Sequence, residues 1–135
     1  MKVTPNNIKN LKANEVFTYG SNCAGIHGAG AARQALKWGA KMGKDGFSGQ
    51  TYGISTKDHN IQTLPLSEIQ KNIKKFLDFA KSRPELEFLC TAVGCGLAGY
   101  TNKDIAPLFL EFPIPDNVAL PADFWQWDSD SDGMS

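Results

Sequence analysis

Residues 16–30, with the sequence VFTYGSNCAGIHGAG, decide the fold class. The apolar and β-branched residues at 16–19 predict a β-strand that ends at Gly20-Ser21-Asn22. A glycine-rich turn follows, with glycines at 25, 28 and 30, and then a helix whose apolar residues recur at helical spacing. A strand that passes through such a turn into a helix is typical of an α/β protein. The spaced residues of the helix are Ala32, Ala35, Leu36 and Gly39.

Three further strands are predicted downstream. The first covers residues 52–56 and closes on Lys57, and a near-continuous apolar run over 86–93 suits a strand buried on both faces. Residues 117–120 form the last strand, and residues 41–50 are expected to be a loop. Strands that alternate with helices imply a largely parallel sheet, in which ligands bind at the carboxyl ends of the strands.

Two helices are predicted from capping-box patterns. Ser67 and Gln70 form one such pattern, and Pro84 stops the helix that follows. Thr101 and Asp104 form the second, and a proline six residues after Thr101 is expected to kink or shorten that helix. The first helix has one apolar face, made of Ile69, Ile73, Phe76, Leu77 and Ala80.

Length and charge restrict the class of protein. The chain has 135 residues, which suits a single domain over residues 1–122 followed by an acidic tail over 123–135. Lys+Arg and Asp+Glu are equal at 14 each, which disfavours nucleic acid or an anionic membrane surface as the main partner. Three cysteines without disulfide spacing, no secretory signal and no apolar stretch of about 18 residues lead us to expect a cytoplasmic protein.

A second glycine-rich segment, Gly94-Cys95-Gly96-Leu97-Ala98-Gly99-Tyr100, follows the buried strand. Glycines let backbone N–H groups approach phosphate oxygens, and three of them close together can form a backbone nest for an anion. The first glycine-rich turn taken alone is equally well explained as a tight strand–helix connection without a ligand. Two such loops at one sheet edge favour a site that holds a diphosphate from both sides.

Two side chains at strand ends have chemistry suited to a ribose. The carboxamide of Asn22 can donate to and accept from ribose hydroxyls, although an Asx turn or a helix cap explains it as well. A desolvated Lys57 could attack an anomeric carbon as an amine. The alternative without a catalytic role, which is the more common one, is a solvated lysine paired with Asp58. The histidines, His27 among them, have no metal-ligand spacing, and Cys95 has no partner base in the sequence.

The strand–Asn–glycine-loop segment and the GCGL run resemble macro domains, near the branch of terminal ADP-ribose protein glycohydrolases. Similar signatures, GIHGAGAA and GCGLAGY, occur in small macro-like proteins of bacteria and phages. The resemblance spans roughly residues 15–121 and implies a three-layer α/β/α fold with a largely parallel central sheet that binds ADP-ribose or its derivatives. It implies that Asn22 contacts ribose and that Lys57 is the nucleophile of a glycohydrolase. The implied ligand-binding residues are Ser21, Asn22, Ile26, His27, Gly28, Ala29, Gly30, Gly94, Cys95, Gly96, Leu97, Ala98, Gly99 and Tyr100.

The sequence departs from that glycohydrolase branch at one position that bears on catalysis. Ala98 occupies the place of the branch's catalytic Asp. This favours a module that binds an ADP-ribose-like small molecule or an ADP-ribosylated protein without turnover. The alternative is an ADP-ribosyl hydrolase that uses Lys57, or a water positioned by the phosphate and Asn22. A third hypothesis is an interaction domain without a pocket. No cofactor and no metal is expected.

Overall fold

The computed structural model describes residues 2–22, 30–41, 46–58, 60, 62–95 and 99–128, with residues 22, 30 and 32 described by their backbone alone. This part of the chain forms strands and helices in alternation. The strands are β1 Glu15–Asn22, β2 Gly46–Ser48, β3 Thr51–Lys57, β4 Glu87–Cys90 and β5 Val118–Ala119. The helices are α1 Gly30–Ala35, which continues as a 3-10 turn over Leu36–Trp38, α2 Leu66–Ser82, α3 Asn102–Leu110 and α4 Ala122–Trp125.

The five strands form one sheet in the order β2-β3-β1-β4-β5. β1 lies parallel to both β3 and β4, β4 lies parallel to β5, and β2 alone runs antiparallel to its neighbour. The predicted α/β class with a largely parallel sheet is therefore confirmed. Because β1 and β4 are parallel neighbours, both of the chain segments that follow them leave the same edge of the sheet.

Two apolar clusters lie on opposite faces of this sheet because side chains alternate along β1. Phe17 and Tyr19 pack with Ala35 on the α1 face. Val16 belongs to the other, larger cluster, which α2 and α3 cover. The predicted apolar face of α2 is confirmed, since all five of its residues are buried.

The predicted start of α2 is wrong. The N-cap is Pro65, whose side chain makes no capping hydrogen bond, and Ser67 is already inside the helix. The Pro65 carbonyl accepts the N–H groups of Glu68 and Ile69 at 3.0 and 3.1 Å, which begins the helix earlier than the Ser67–Gln70 pattern indicates. The second predicted box is confirmed at Thr101 and Asp104.

Four other elements differ from the sequence prediction. β2 lies within the predicted loop over residues 41–50, and its Phe47 ring packs 5.1 Å from the Phe79 ring, centroid to centroid. β4 has four residues because the N–H of Val93 turns back to the Thr91 carbonyl at 2.8 Å and ends the strand. The 3-10 turn replaces the end of the predicted first helix, and α3 continues past the internal proline to Leu110.

The two ends of the described chain meet beside β5. Val3 forms a parallel bridge with Leu120, and the indole N–H of Trp125 donates to the Lys2 carbonyl at 2.6 Å. α4 lies beyond residue 122, and its Phe124 is fully buried in the larger cluster. Within the described residues, no helix has the length and apolar character needed to cross a membrane.

Candidate functional site at the carboxyl edge of the sheet

The predicted ribose-contacting Asn and the predicted nucleophile end neighbouring strands. Asn22 of β1 is the register partner of Lys57 of β3, after a register shift between Ser21 and Asn22. One residue earlier in each strand, the Thr56 hydroxyl donates to the Ser21 carbonyl at 3.1 Å, and both residues are buried. The structure therefore brings the backbones of Asn22 and Lys57 together at the carboxyl edge.

The second glycine-rich segment approaches the same place from β4. A Cβ added at Gly20 of β1 would lie 3.3 Å from the Gly94 amide nitrogen and 3.7 Å from the Thr56 side chain. Gly94 itself has φ +80, and a Cβ there would lie 2.7 Å from Cδ1 of Ile105 in α3. Gly94 needs glycine because of its positive φ and its overlap with Ile105, whereas a Cβ at Gly20 would only be a tight fit against the Gly94 backbone.

The base of this segment is closed by its own hydrogen bonds. The N–H of Tyr100 donates to the Gly94 carbonyl at 3.1 Å, and Cys95 and Tyr100 form a parallel bridge. The Tyr100 hydroxyl donates to the Leu64 carbonyl at 2.8 Å, which ties the end of the segment to the chain before α2. Gly99, with φ +91, is exposed and has no atom within 4 Å of an added Cβ. The two ends of the segment are therefore fixed by backbone contacts.

The N-terminus of α3 follows directly but is already capped. The Thr101 hydroxyl accepts from the Asp104 N–H at 3.3 Å, and the Asp104 carboxylate accepts from the Thr101 N–H at 3.0 Å. The bond from the Thr101 N–H, together with one that the Thr101 hydroxyl donates to the same carboxylate at 3.0 Å, holds the pKa of Asp104 below its ordinary value, the backbone bond contributing most. The carboxylate at this helix end disfavours an anion there, so the backbone of the glycine segment is the better candidate for one.

Lys57 is half-buried and does not pair with its sequence neighbour. The Asp58 carboxylate accepts the N–H groups of Asn60 and Gln62 at 2.8 and 3.0 Å, which closes a turn after β3. Among the residues that the structure describes, no ion pair includes Lys57. The structure therefore does not show the expected pairing of Lys57 with Asp58, and Oδ1 of Asp58 instead holds the turn after β3.

The Cys95 thiol is half-buried and lies 3.3 Å from Oδ1 of Asn102, to which it donates. Burial raises the pKa of the Cys95 thiol, and the Asp104 charge adds to the rise. A thiol in this environment is a poor nucleophile at neutral pH. No cluster of metal-binding side chains occurs in the described ranges.

Several of the predicted site residues lie wholly or partly outside the described part of the chain. Asn22 and Gly30 are described by their backbone alone, so the side-chain role of Asn22 stays a prediction. The predicted residues that lie outside the described ranges are Ile26, His27, Gly28, Ala29, Gly96, Leu97 and Ala98.

A cavity of about 250 Å³, which the sequence analysis missed, lies on the α1 side of the sheet. It adjoins the candidate site, because Thr91 and Ala92, just before the second glycine segment, line it. Thr4 lines it from the N-terminal segment. The only residue of this segment that favours a strand is the apolar Val3, and a single residue is too little to predict one. A wider groove of about 650 Å³ lies at the opposite, amino edge, where Glu87 and Asn117 line it.

Comparisons with known proteins give no relative from which a function could be transferred. No protein-family model, curated protein or solved structure matches the chain.

Proposed function

We propose that this protein binds ADP-ribose or a related NAD-derived nucleotide, with the diphosphate between its two glycine-rich segments. The observation that carries the proposal is the close approach of the Gly94 backbone to Gly20, where an added Cβ would lie 3.3 Å from the Gly94 nitrogen, at the carboxyl edge of two parallel strands. The first glycine-rich segment leaves β1 two residues beyond Gly20, and the second begins at Gly94. Both segments therefore start from one point of the sheet, where open α/β sheets bind ligands.

The backbone at the two described ends of the second segment supports the proposal. Gly94 and Gly99 have φ values of +80 and +91. Left-handed residues next to right-handed ones turn successive N–H groups toward one point, and such a concavity holds phosphate without a metal ion. The sheet with apolar clusters on both faces is compatible with the three-layer macro domain that the sequence resembles.

Hydrolysis of an ADP-ribosyl bond is the second candidate, and the pairing of Lys57 with Asn22 favours it. The backbones of Lys57 and Asn22 are register partners at the ends of two strands, and an amine at such a position could attack the anomeric carbon of a bound ribose. Ala98 cannot supply the acid or base that such an attack needs. Binding without turnover is therefore the function that we put first.

Two glycine variants with matched backbone strain test the diphosphate site. Gly99 and Gly46 both have positive φ, +91 and +76, and no atom of the described residues lies within 4 Å of a Cβ added at either position. Gly99→Glu and Gly46→Glu therefore add the same charge at similar strain, but only the first adds it beside the proposed diphosphate. We expect calorimetry to show that Gly99→Glu weakens ADP-ribose binding at least about a hundredfold, since like charges brought together cost several kcal/mol.

Gly46→Glu should bind ADP-ribose like the unchanged protein, and both variants should keep a cooperative unfolding transition. Equal binding by the two variants, or no binding of the unchanged protein at millimolar ADP-ribose, would overturn the proposal. Incubation of the unchanged protein and Lys57→Gln with an ADP-ribosylated protein separates the two candidates. Release of ADP-ribose that is lost in Lys57→Gln, with binding retained, would establish the hydrolase.

A further inference from the structure

The groove of about 650 Å³ at the amino edge of the sheet contains one buried amide side chain whose orientation is fixed. Asn117, which directly precedes β5, is 8% exposed. Its Nδ2 donates to the carbonyls of Ala80, Arg83 and Leu86 at 2.9, 3.0 and 3.0 Å. Reversal of the amide would place Oδ1 against these carbonyl oxygens, so the three contacts determine which way the amide faces.

The oxygen of this amide has no hydrogen-bond partner among the described residues. The hydrogen bonds of the Asn117 side chain all run from Nδ2, and none ends on Oδ1. Oδ1 is also not one of the fully enclosed polar atoms that lack a hydrogen bond, so it is open to the groove that Asn117 lines. It is therefore a fixed acceptor that an N–H group of a ligand can complete.

Two charged side chains that line the groove have no ion-pair partner in the described part of the chain. They are Lys81 of α2 and Asp116, both exposed. The other charged lining residues form two ion pairs at 2.9 Å, Lys2 with Glu87 and Lys74 with Asp78. The groove as a whole is therefore neutral, and its unpaired charges match a ligand that carries one charge of each sign.

Apolar side chains form the rest of the groove. Leu77 of α2, which is buried, lines it together with residues 112–115, whose sequence is Phe-Pro-Ile-Pro. The volume lies within the roughly 300–1,000 Å³ of sites that enclose a small organic ligand. The groove therefore has room for a small molecule that carries apolar side chains as well as two charges.

We propose that this amino-edge groove binds a short apolar peptide with free termini, of about dipeptide size. The terminal ammonium of the peptide donates to Asn117 Oδ1 beside Asp116, its carboxylate pairs with Lys81, and its side chains contact Leu77 and residues 112–115. Each group of the groove that lacks a partner then receives one of matching chemistry. The groove lies at the edge opposite the proposed diphosphate site, so this inference does not rest on the proposed function.

Blocked forms of one dipeptide test the two charge contacts on the unchanged protein. Leucyl-phenylalanine, its N-acetyl form and its carboxyl-terminal amide are titrated separately, and backbone amide NMR shifts are followed. Each blocked form lacks one charge and keeps both apolar side chains. We expect shifts centred on Lys81, Asp116 and Asn117, and an affinity at least about tenfold lower for each blocked form, since each loses one charge-assisted hydrogen bond.

Two lysine variants with the same chemical change provide the matched control. Lys81 and Lys75 are both exposed on α2, and no ion pair of the described residues includes either, but only Lys81 lines the groove. Both Lys81→Gln and Lys75→Gln should therefore keep the Tm of the unchanged protein. Lys81→Gln should weaken dipeptide binding about tenfold, and Lys75→Gln should leave it unchanged.

Several results would overturn the peptide groove. Equal binding by the two lysine variants, shifts centred elsewhere in the molecule, or no shifts at millimolar dipeptide would each do so. Equal affinity for the N-acetyl form would show that the groove takes the carboxyl terminus of a longer chain instead. Equal affinity for phenylalanine alone would show that a free amino acid is the ligand.

Discussion

Gly94→Ala should destabilise the protein for two separable reasons. The residue has φ +80, a region in which an L side chain costs about 1–2 kcal/mol. The added Cβ would also lie 2.7 Å from Cδ1 of Ile105, which is fully buried and cannot move into solvent. Overpacking of this kind costs about 1–3 kcal/mol, so we expect a total loss of about 2–5 kcal/mol.

Gly99→Ala isolates the backbone contribution. Gly99 has φ +91 in the same segment, but no atom lies within 4 Å of its added Cβ. Its loss should therefore be about 1–2 kcal/mol. Urea unfolding with unchanged m-values gives both free energies, and the excess for Gly94→Ala measures the overlap with Ile105. Equal losses for the two variants would refute the packing of Gly94 against α3.

A double-mutant cycle identifies the atom responsible. Ile105→Val removes Cδ1 and alone costs about 0.5–1.5 kcal/mol, as a shortened core side chain does. Combined with Gly94→Ala it relieves the closest overlap, so the double variant should be more stable than additivity predicts by at least about 0.5 kcal/mol. Strict additivity would show that another neighbour opposes the added methyl group. Because Gly94 begins the proposed diphosphate segment, the double variant should also recover part of any lost ADP-ribose affinity.

Three further predictions concern stability and reactivity. Asn117→Ala should cost about 1–3 kcal/mol in urea unfolding, because the buried Asn117 amide donates to the backbone carbonyl of Ala80 in the last turn of α2 and to two carbonyls just after that helix. A loss below 0.5 kcal/mol (on the order of measurement error) would contradict that role. The Thr101 hydrogen bonds lower the folded pKa of Asp104, so the stabilisation by its carboxylate is complete above the unfolded pKa of about 3.9 and is lost as pH falls through the folded value. Asp104→Asn should therefore make stability depend less on pH below about pH 4. An unchanged acid-unfolding profile would contradict this prediction. Burial raises the pKa of the Cys90 thiol and, with a lesser degree of burial, that of Cys95. Peptide mapping after treatment with iodoacetamide should therefore find Cys90 unmodified until the protein unfolds and Cys95 modified slowly. Rapid labelling of Cys90 in the native protein would contradict its burial.

The sequence predicted the strands that are long or strongly apolar and the edge at which they end. β1 and β3 were found because β-branched and aromatic residues recur along them, and α2 because its five apolar residues keep one helical face. β2 was missed because it has three residues, and only the packing of Phe47 on Phe79 marks it as part of the sheet. Such a strand is determined by tertiary contacts, which local pattern does not contain.

The candidate site was predicted in part for the same reason. Asn22 and Lys57 end strands and Gly94 follows one, so their place at one edge is a consequence of parallel topology. Thr4 was not predicted, since its place depends on the Val3–Leu120 bridge between the two ends of the described chain. The hydrogen bond of Asp58 to the turn after β3 was not predicted either, because in the sequence an Asp next to a Lys suggests an ion pair as readily as a turn.

The composition of the central strands changes along their length in a way that burial alone does not explain. The first half of β1 contributes Val16 and Phe17 to the two apolar clusters. Its carboxyl half contributes Gly20 and the buried Ser21, and β3 likewise passes from the buried Ile54 to the buried Ser55 and Thr56. Glycine, serine and threonine bury less apolar surface than larger apolar residues would at the same positions. This edge of the sheet therefore contributes less to stability than an apolar edge would. A fold under selection for stability alone would continue the apolar pattern. The change to glycine and hydroxyl groups at the edge where Gly94 makes its close approach therefore supports the proposed ligand site, since such a site needs small residues beside the backbone amides.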